Sequence, residues 1–316
     1  MAAKIFIDGA VGTTGLQIRE RLEGRADLSL LTLPESARKD AAARAGALNE
    51  ADIVILCLPD DAAKEAVALI TNPKTRVIDA STAHRVAPGW VFGFPEFEPG
   101  QYERIAKATR VSNPGCYSTG FIALVRPLVR AGLIPADAAL TVNAVSGYSG
   151  GGKSMIEEFE KSDSPSYVET AFRTYGLTLA HKHVPEMTER SGLSIPPLFA
   201  PSVGRFYSGM IVEVPLQTRT LPGAPKTEDF RAALAKAYQG RALVEAASAE
   251  EAAGLKTLDA ELLANTNKLK LFAFGNDKVQ QVRLVAVLDN LGKGASGAAV
   301  QNLNIMLGLP ETTGLL

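Results

Sequence analysis

The chain has 316 residues, 46% of them apolar and 21% charged, with a formal net charge of -1. That length supports two domains with proper cores, and the charge balance, with no Lys/Arg block, points away from nucleic acid and anionic membranes. No apolar run reaches the roughly 18 residues of a membrane span, and the two cysteines, Cys57 and Cys116, supply neither a disulfide framework nor a zinc spacing.

Lys4 to Asp8 reads as a buried strand with no signal peptide before it, so a reducing cytoplasm is the expected compartment. It leads into Gly9-Ala10-Val11-Gly12-Thr13-Thr14-Gly15 and a helical pattern through Leu22. Strand, glycine loop and helix form the context of a dinucleotide site: the glycines permit a tight turn and bring backbone N–H groups near a pyrophosphate. The spacing G-x-x-G-x-x-G is looser evidence than G-x-G-x-x-G, and a plain glycine-rich turn is the alternative. Leu28 to Leu33 reads as the second strand, followed by Glu35, Ser36, Arg38 and Lys39. An acid there suits the ribose hydroxyl of NAD, whereas a hydroxyl and two cations suit the 2′-phosphate of NADP, the favoured cofactor. A helix over Asp40 to Leu48, a strand over Ala51 to Leu58, a helix over Asp61 to Leu69 and a strand over Arg76 to Asp79 continue the alternation. The pattern predicts an α/β fold with a doubly wound, mostly parallel sheet, and places Leu58 and Pro59 at its ligand-binding carboxyl edge. Cys57 reads as a core residue.

Asp79 to Arg85, which includes Ser81, leaves the sheet as a polar loop, and Phe92 to Phe97 reads as an ordered aromatic loop. Val111-Ser112-Asn113-Pro114-Gly115-Cys116 then sets a turn at Asn113 and a helix starting near Cys116. A cysteine in the first turn of a helix faces unpaired N–H groups and the positive dipole end, which favour the nucleophilic thiolate.

Ala138 to Val145 predicts a strand that enters Gly147-Tyr148-Ser149-Gly150-Gly151-Gly152-Lys153-Ser154, ahead of a helix over Met155 to Lys161. This matches the P-loop pattern, with Asp289 after Val285 to Leu288 as a possible magnesium residue. The competing reading is a loop that holds an anionic substrate with backbone amides and Lys153. His181-Lys182-His183 carries two of the three histidines. It lacks the partners of a metal site, so no metal is expected, and one histidine is a candidate acid/base. If the segment is a strand, the two rings face opposite sides. Strands over Met210 to Thr220, Lys270 to Phe274 and Gln281 to Leu288, with a helix over Lys226 to Tyr238, predict an α+β catalytic domain around an antiparallel or mixed sheet. Asp289 to Asn304 is a glycine turn into a helix of small residues. The expected division is a dinucleotide-binding domain of residues 1–112 plus 294–316, and a catalytic, substrate and oligomerisation domain of residues 113–293.

Ser112 to Tyr117 and Gly9 to Gly15 together make the chain resemble the N-acetyl-γ-glutamyl-phosphate reductases of arginine biosynthesis. Phe94-Pro95-Glu96, Gly147 to Lys153, His181 to Glu186 and Asn290 to Asn304 are similar to further blocks of that family in the same order, and Tyr148 and the short chain suit its type 2 branch. The resemblance implies a semialdehyde-dehydrogenase-like fold, a C-terminal helix packed on the dinucleotide domain and a homotetramer. It implies Cys116 as the nucleophile on a small-molecule acyl phosphate, with His181 preferred over His183 as its proton partner. Asn113, Ser149, Gly150, Lys153, His183 and Glu186 are expected around the substrate. Gly9, Gly12, Thr13, Thr14, Gly15, Ser36, Arg38, Lys39, Leu58, Pro59, Ser81 and Asn290 are expected around NADP. Aspartate-semialdehyde dehydrogenase, which shares fold and mechanism, is the nearest rival, and a P-loop nucleotide-binding protein the rival of another class.

Overall fold

The computed structural model describes residues 2–38 and 40–316; Lys39 lies outside the described residues. The chain divides into two compact units: Met1–Pro95, Gly100–Pro114 and Ala295–Leu316 form unit 1, and Glu96–Pro99 with Gly115–Gly294 form unit 2.

Along unit 1 run β1 (Ala3–Asp8), α1 (Thr13–Leu22), β2 (Leu28–Leu31), α2 (Ala41–Glu50), β3 (Ile53–Leu56), α3 (Asp60–Ala68), β4 (Arg76–Asp79), β5 (Val91–Phe92), α4 (Gln101–Lys107) and β6 (Arg110–Ser112). Unit 2 follows with α5 (Cys116–Arg130), β7 (Thr141–Gly147), α6 (Gly152–Glu160), β8 (Phe172–Thr174), α7 (Val184–Ser191), β9 (Leu198–Gly204), β10 (Met210–Gln217), α8 (Thr227–Tyr238), β11 (Val244–Ala246), α9 (Ala249–Gly254), β12 (Leu269–Asn276) and β13 (Gln281–Leu288). The chain then returns to unit 1 as α10 (Gly297–Met306).

Unit 1 is built on a sheet of order β2-β1-β3-β4-β6-β5 in which every described pairing is parallel. All four residues of β3 are buried, as a strand covered on both faces requires, and the continuous apolar run in the sequence is its cause. The short β5 replaces part of the expected aromatic loop, because Val91 and Phe92 pair with Val111 and Ser112. α10 packs against α1, α4 and β4, and its polar side chains are anchored within the unit: Asn302 Nδ2 donates to Gly93 O at 2.9 Å, and Asn304 Oδ1 accepts from Arg25 Nη1 at 2.8 Å.

The sheet of unit 2 is mixed, in the order β11-β12-β13-β10-β7-β9-β8. α5 lies on it and buries Phe121, Ile122, Leu124, Val125 and Leu128, each contributing roughly 1.5–3 kcal/mol of transfer free energy. Pro127 sits inside that helix and cannot bond back to the carbonyl four residues earlier. That carbonyl, Ala123 O, instead accepts the buried Tyr238 hydroxyl at 2.8 Å.

Candidate active site

In unit 1 the glycine loop is fixed by its own close contacts. Gly9 adopts φ +91°, and a Cβ there would stand 2.3 Å from Cys57 O; one at Gly15 would stand 2.3 Å from Gly9 O. Larger residues are therefore barred by backbone, whatever is bound. Gly12 N–H donates to Gly9 O at 3.0 Å, and Gly12 precedes α1, whose first turn has no side-chain cap. The amides of Thr13 and Thr14 thus begin a helix whose positive end is offered to an anion. A cavity of about 610 Å³ adjoins the loop, lined among others by Gly9, Ser36, Arg38, Leu58, Arg19 and Arg44. These groups fit a dinucleotide: glycine backbone, an apolar wall from Leu30 to Leu33 and several cations.

The sequence offered no sign of Arg44. It reaches the cavity from α2 and is held by Asp8 at the end of β1, with Nη2–Oδ2 at 2.7 Å. Pro59 caps the start of α3 with its backbone, and Ser81 turns its hydroxyl to Asp79 Oδ2 at 2.7 Å. Burial, reinforced by Asp79 and Asp8, pushes the Cys57 thiol to about 12, so it stays protonated at neutral pH.

In unit 2, Gly115 is the N-cap of α5 and Cys116 its first residue. Three contacts fix this corner. Gly115 N–H donates to Glu186 Oε1 at 3.0 Å, the carboxylate being 2% exposed. Gly115 O accepts from Thr119 Oγ1 at 2.9 Å. Gly294 lies directly on the cysteine: a Cβ there would be 2.9 Å from Cys116 Cβ. The backbone of Gly294 is tied to Asp289 O at 2.9 Å, so the glycine turn expected after β13 packs on Cys116.

Next to Cys116, Tyr117 donates its hydroxyl to Ser202 O at 3.0 Å and accepts from Tyr175 at 3.0 Å. Burial, with the nearby Tyr175 and Cys116, holds the Tyr117 phenol well above its usual range. Burial raises Tyr175 to about 12, so both phenols are neutral hydrogen-bond donors at neutral pH. The rings of His181 and His183 both face Tyr117, at 6.1 and 6.0 Å between centroids. This corrects the expectation of opposite faces: the segment is a turn entering α7, not a strand, and turns both rings to one side. His183 N–H donates to His181 Nδ1 at 3.1 Å, so the neutral His181 ring carries its proton on Nε2.

Against the P-loop alternative stands the bonding of its supposed magnesium residue. The amides of Gly147, Tyr148 and Ser149, at the entrance of the loop, donate to Gly209 O, Phe206 O and Tyr207 O. Asp289, required for magnesium, accepts from Leu291 N at 2.6 Å, Gly292 N at 2.9 Å and Asn265 N. Ser149 is buried and its Oγ accepts from Asn290 Nδ2 at 2.9 Å, while Gly150 and Lys153 are exposed. Asn290 lies in unit 2, its other polar atom accepting from Gly209 N at 2.8 Å. Asn113 belongs to unit 1, where its Nδ2 donates to Ala295 O at 2.9 Å and its Oδ1 accepts from Asn302 at 3.1 Å.

Comparison with known proteins matches both units. Residues 4–105 match the semialdehyde dehydrogenase NAD binding domain, and residues 116–290 the semialdehyde dehydrogenase dimerisation domain. The chain is 54% identical over 318 residues to N-acetyl-gamma-glutamyl-phosphate reductase 2 of Nostoc sp., covering 99% of each chain. It is 56% identical over 309 residues to N-acetyl-gamma-glutamyl-phosphate reductase of Brucella ovis, covering 98% of this chain and 100% of the other. Among solved structures it is similar to aspartate semialdehyde dehydrogenase II of Vibrio cholerae complexed with ASA, with TM-score 0.74 and 14% identity over 98% of this chain and 99% of that one, a likeness of fold.

Proposed function

The chain belongs to the semialdehyde dehydrogenase family and, within it, to the N-acetyl-gamma-glutamyl-phosphate reductases, and on that premise we propose that Cys116 carries the reaction as a thioester. The substrate is N-acetyl-γ-glutamyl phosphate, and the products are N-acetyl-glutamate 5-semialdehyde and phosphate, a step of arginine biosynthesis. The observation that carries this reading is the seat of Cys116 at the start of α5, pressed by Gly294 and followed by the Tyr117–Tyr175–histidine cluster.

The thiolate of Cys116, favoured by the helix N-terminus, attacks the acyl carbon. The bond from that carbon to the phosphate oxygen breaks, and phosphate leaves with the electron pair. A nicotinamide dinucleotide, when bound, supplies the hydride that takes the thioester to the aldehyde level. His181 Nε2–H donates to the oxygen that gains charge in this step, and takes the proton back as the C–S bond breaks and the aldehyde leaves. His183 acts through its backbone, which sets the tautomer of His181. Glu186 holds Gly115 and so orients the nucleophile. Lys153 and the exposed Gly150 bind the substrate's anionic groups, with Ser149 behind them. Because both polar atoms of Asn290 are engaged with Ser149 and Gly209, we assign it to supporting that loop. Asn113 likewise anchors the chain where it leaves unit 1, which leaves the oxyanion to His181 and backbone amides.

Unit 1 is the dinucleotide domain in this reading and unit 2 the catalytic one. NADP is preferred over NAD, because Ser36 and Arg38 line the cavity beside Glu35, and Asp8 is already matched by Arg44. The dimerisation-domain match supports a homo-oligomer, which we take to be a tetramer, and a reducing cytoplasm suits the thiol. The test runs the reaction backwards: purified protein, N-acetyl-glutamate 5-semialdehyde, phosphate and NADP, with NADPH absorbance followed in wild type and Cys116→Ser. NADP reduction that needs phosphate and vanishes in the variant is expected. Turnover retained by Cys116→Ser, or a preference for aspartate semialdehyde, overturns the reading.

A further inference from the structure

A second cavity, of about 470 Å³, lies in unit 2 where the C-terminal ends of α5 and α8 meet. Its apolar wall includes Phe97, Pro127, Ala131 and Ala237. Phe97 is braced by the Arg126 guanidinium, 5.2 Å from the ring centroid. None of the residues assigned above to catalysis, substrate or dinucleotide lines this cavity.

Three cations border it: Arg130 in the last turn of α5, Lys236 in the last turn of α8, and Arg241 just beyond. Among the described residues, no side-chain hydrogen bond or ion pair engages any of the three. The two acids at the rim are already matched. Glu96 is bonded through both oxygens to Lys293 at 2.8 and 2.9 Å, and Glu98 to Arg126 at 2.8 Å. Each helix C-terminus contributes roughly −0.5 of a charge, so three cations facing two such ends leave about +2 unbalanced. That charge over an apolar wall selects a ligand of opposite sign with a hydrophobic body.

We propose that the cavity bordered by Arg130, Lys236 and Arg241 binds a small dianion with an apolar body, of the class of aryl or alkyl phosphates. The site is separate from the catalytic one, so both can be filled at once.

Phenyl phosphate is the probe, titrated calorimetrically onto the full chain saturated with NADP, in wild type, Lys153→Ala and the double variant Arg130→Gln/Arg241→Gln. Saturable binding is expected that survives Lys153→Ala and weakens about tenfold or more in the double variant, whose basal turnover is unchanged. No saturable binding overturns the proposal, as does binding lost in Lys153→Ala but untouched in the double variant. A changed sedimentation mass in the double variant overturns it too, because these cations then belong to a subunit contact.

Discussion

Replacing Gly294 by alanine tests whether the glycine turn after β13 sets the position of Cys116, the nucleophile proposed above. The added methyl would lie 2.9 Å from Cys116 Cβ, 3.0 Å from Asp289 O and 3.3 Å from Cys116 Cα. None of these atoms is the end of a flexible side chain, so relief requires the cysteine and the turn to separate. Reaching an ordinary contact of 3.4 Å takes a displacement of about 0.5 Å. A misplacement of about 1 Å at a reacting centre costs about 10²-fold, so half that distance is expected to lower kcat about tenfold. The overpacking itself costs about 1–3 kcal/mol of stability. Steady-state NADPH absorbance in the phosphate-dependent direction reads kcat, urea unfolding reads stability, and NADP binding by fluorescence shows whether unit 1 is intact. A folded Gly294→Ala protein with wild-type kcat would refute the argument that this turn positions Cys116.

Other outcomes follow from the same contacts. Lys293→Met strands the buried carboxylate of Glu96, so the urea midpoint should fall by the equivalent of about 3–5 kcal/mol; a shift under 1 kcal/mol would show the pair to be slack. Iodoacetamide at pH 8 should label Cys116 and spare Cys57, as read by peptide mass. The Cys57 thiol rises from 9.0 to about 12 on folding, so its contribution to stability is intact below pH 9 and lost as pH climbs toward 12. Cys57→Ala should therefore flatten part of the alkaline decline in melting temperature, and an unchanged slope would contradict the burial argument. Arg38→Ala should raise KM for NADP about tenfold with little effect on NAD, and equal losses for both would remove Arg38 from the 2′-phosphate.

What was legible in the sequence is what neighbouring residues settle among themselves. Gly9, Gly12 and Gly15 spell a strand, turn and helix because they lie close together in the chain, although the steric demand at Gly9 comes from Cys57 and only that at Gly15 from the loop itself. Asn-Pro-Gly before Cys116 announces a helix start in the same way, since proline restricts the residue before it. The alternation of buried strands and helices gave the parallel sheet of unit 1, and the longer alternating strands the mixed sheet of unit 2. Where the local pattern misled, distant partners were responsible. Gly147 to Ser154 reads as a P-loop until Asp289, its supposed magnesium residue, is found bonded to the backbone amides of Leu291, Gly292 and Asn265. His181 and His183 read as opposite faces of a strand until a turn into α7 sets both against Tyr117. The anchoring of Arg44 by Asp8, of Lys293 by Glu96 and of Gly115 by Glu186 left no trace in spacing, because each partner lies 36 to 197 positions away. The sequence by itself determined the alternating elements of unit 1, the helix start at Cys116 and the glycine loop after β1, which depend on backbone preferences and apolar periodicity over a few residues. Only the tertiary structure decided which polar groups are spent on the protein's own backbone and which remain for a ligand, because a hydrogen bond is assigned by proximity in space and not by order along the chain.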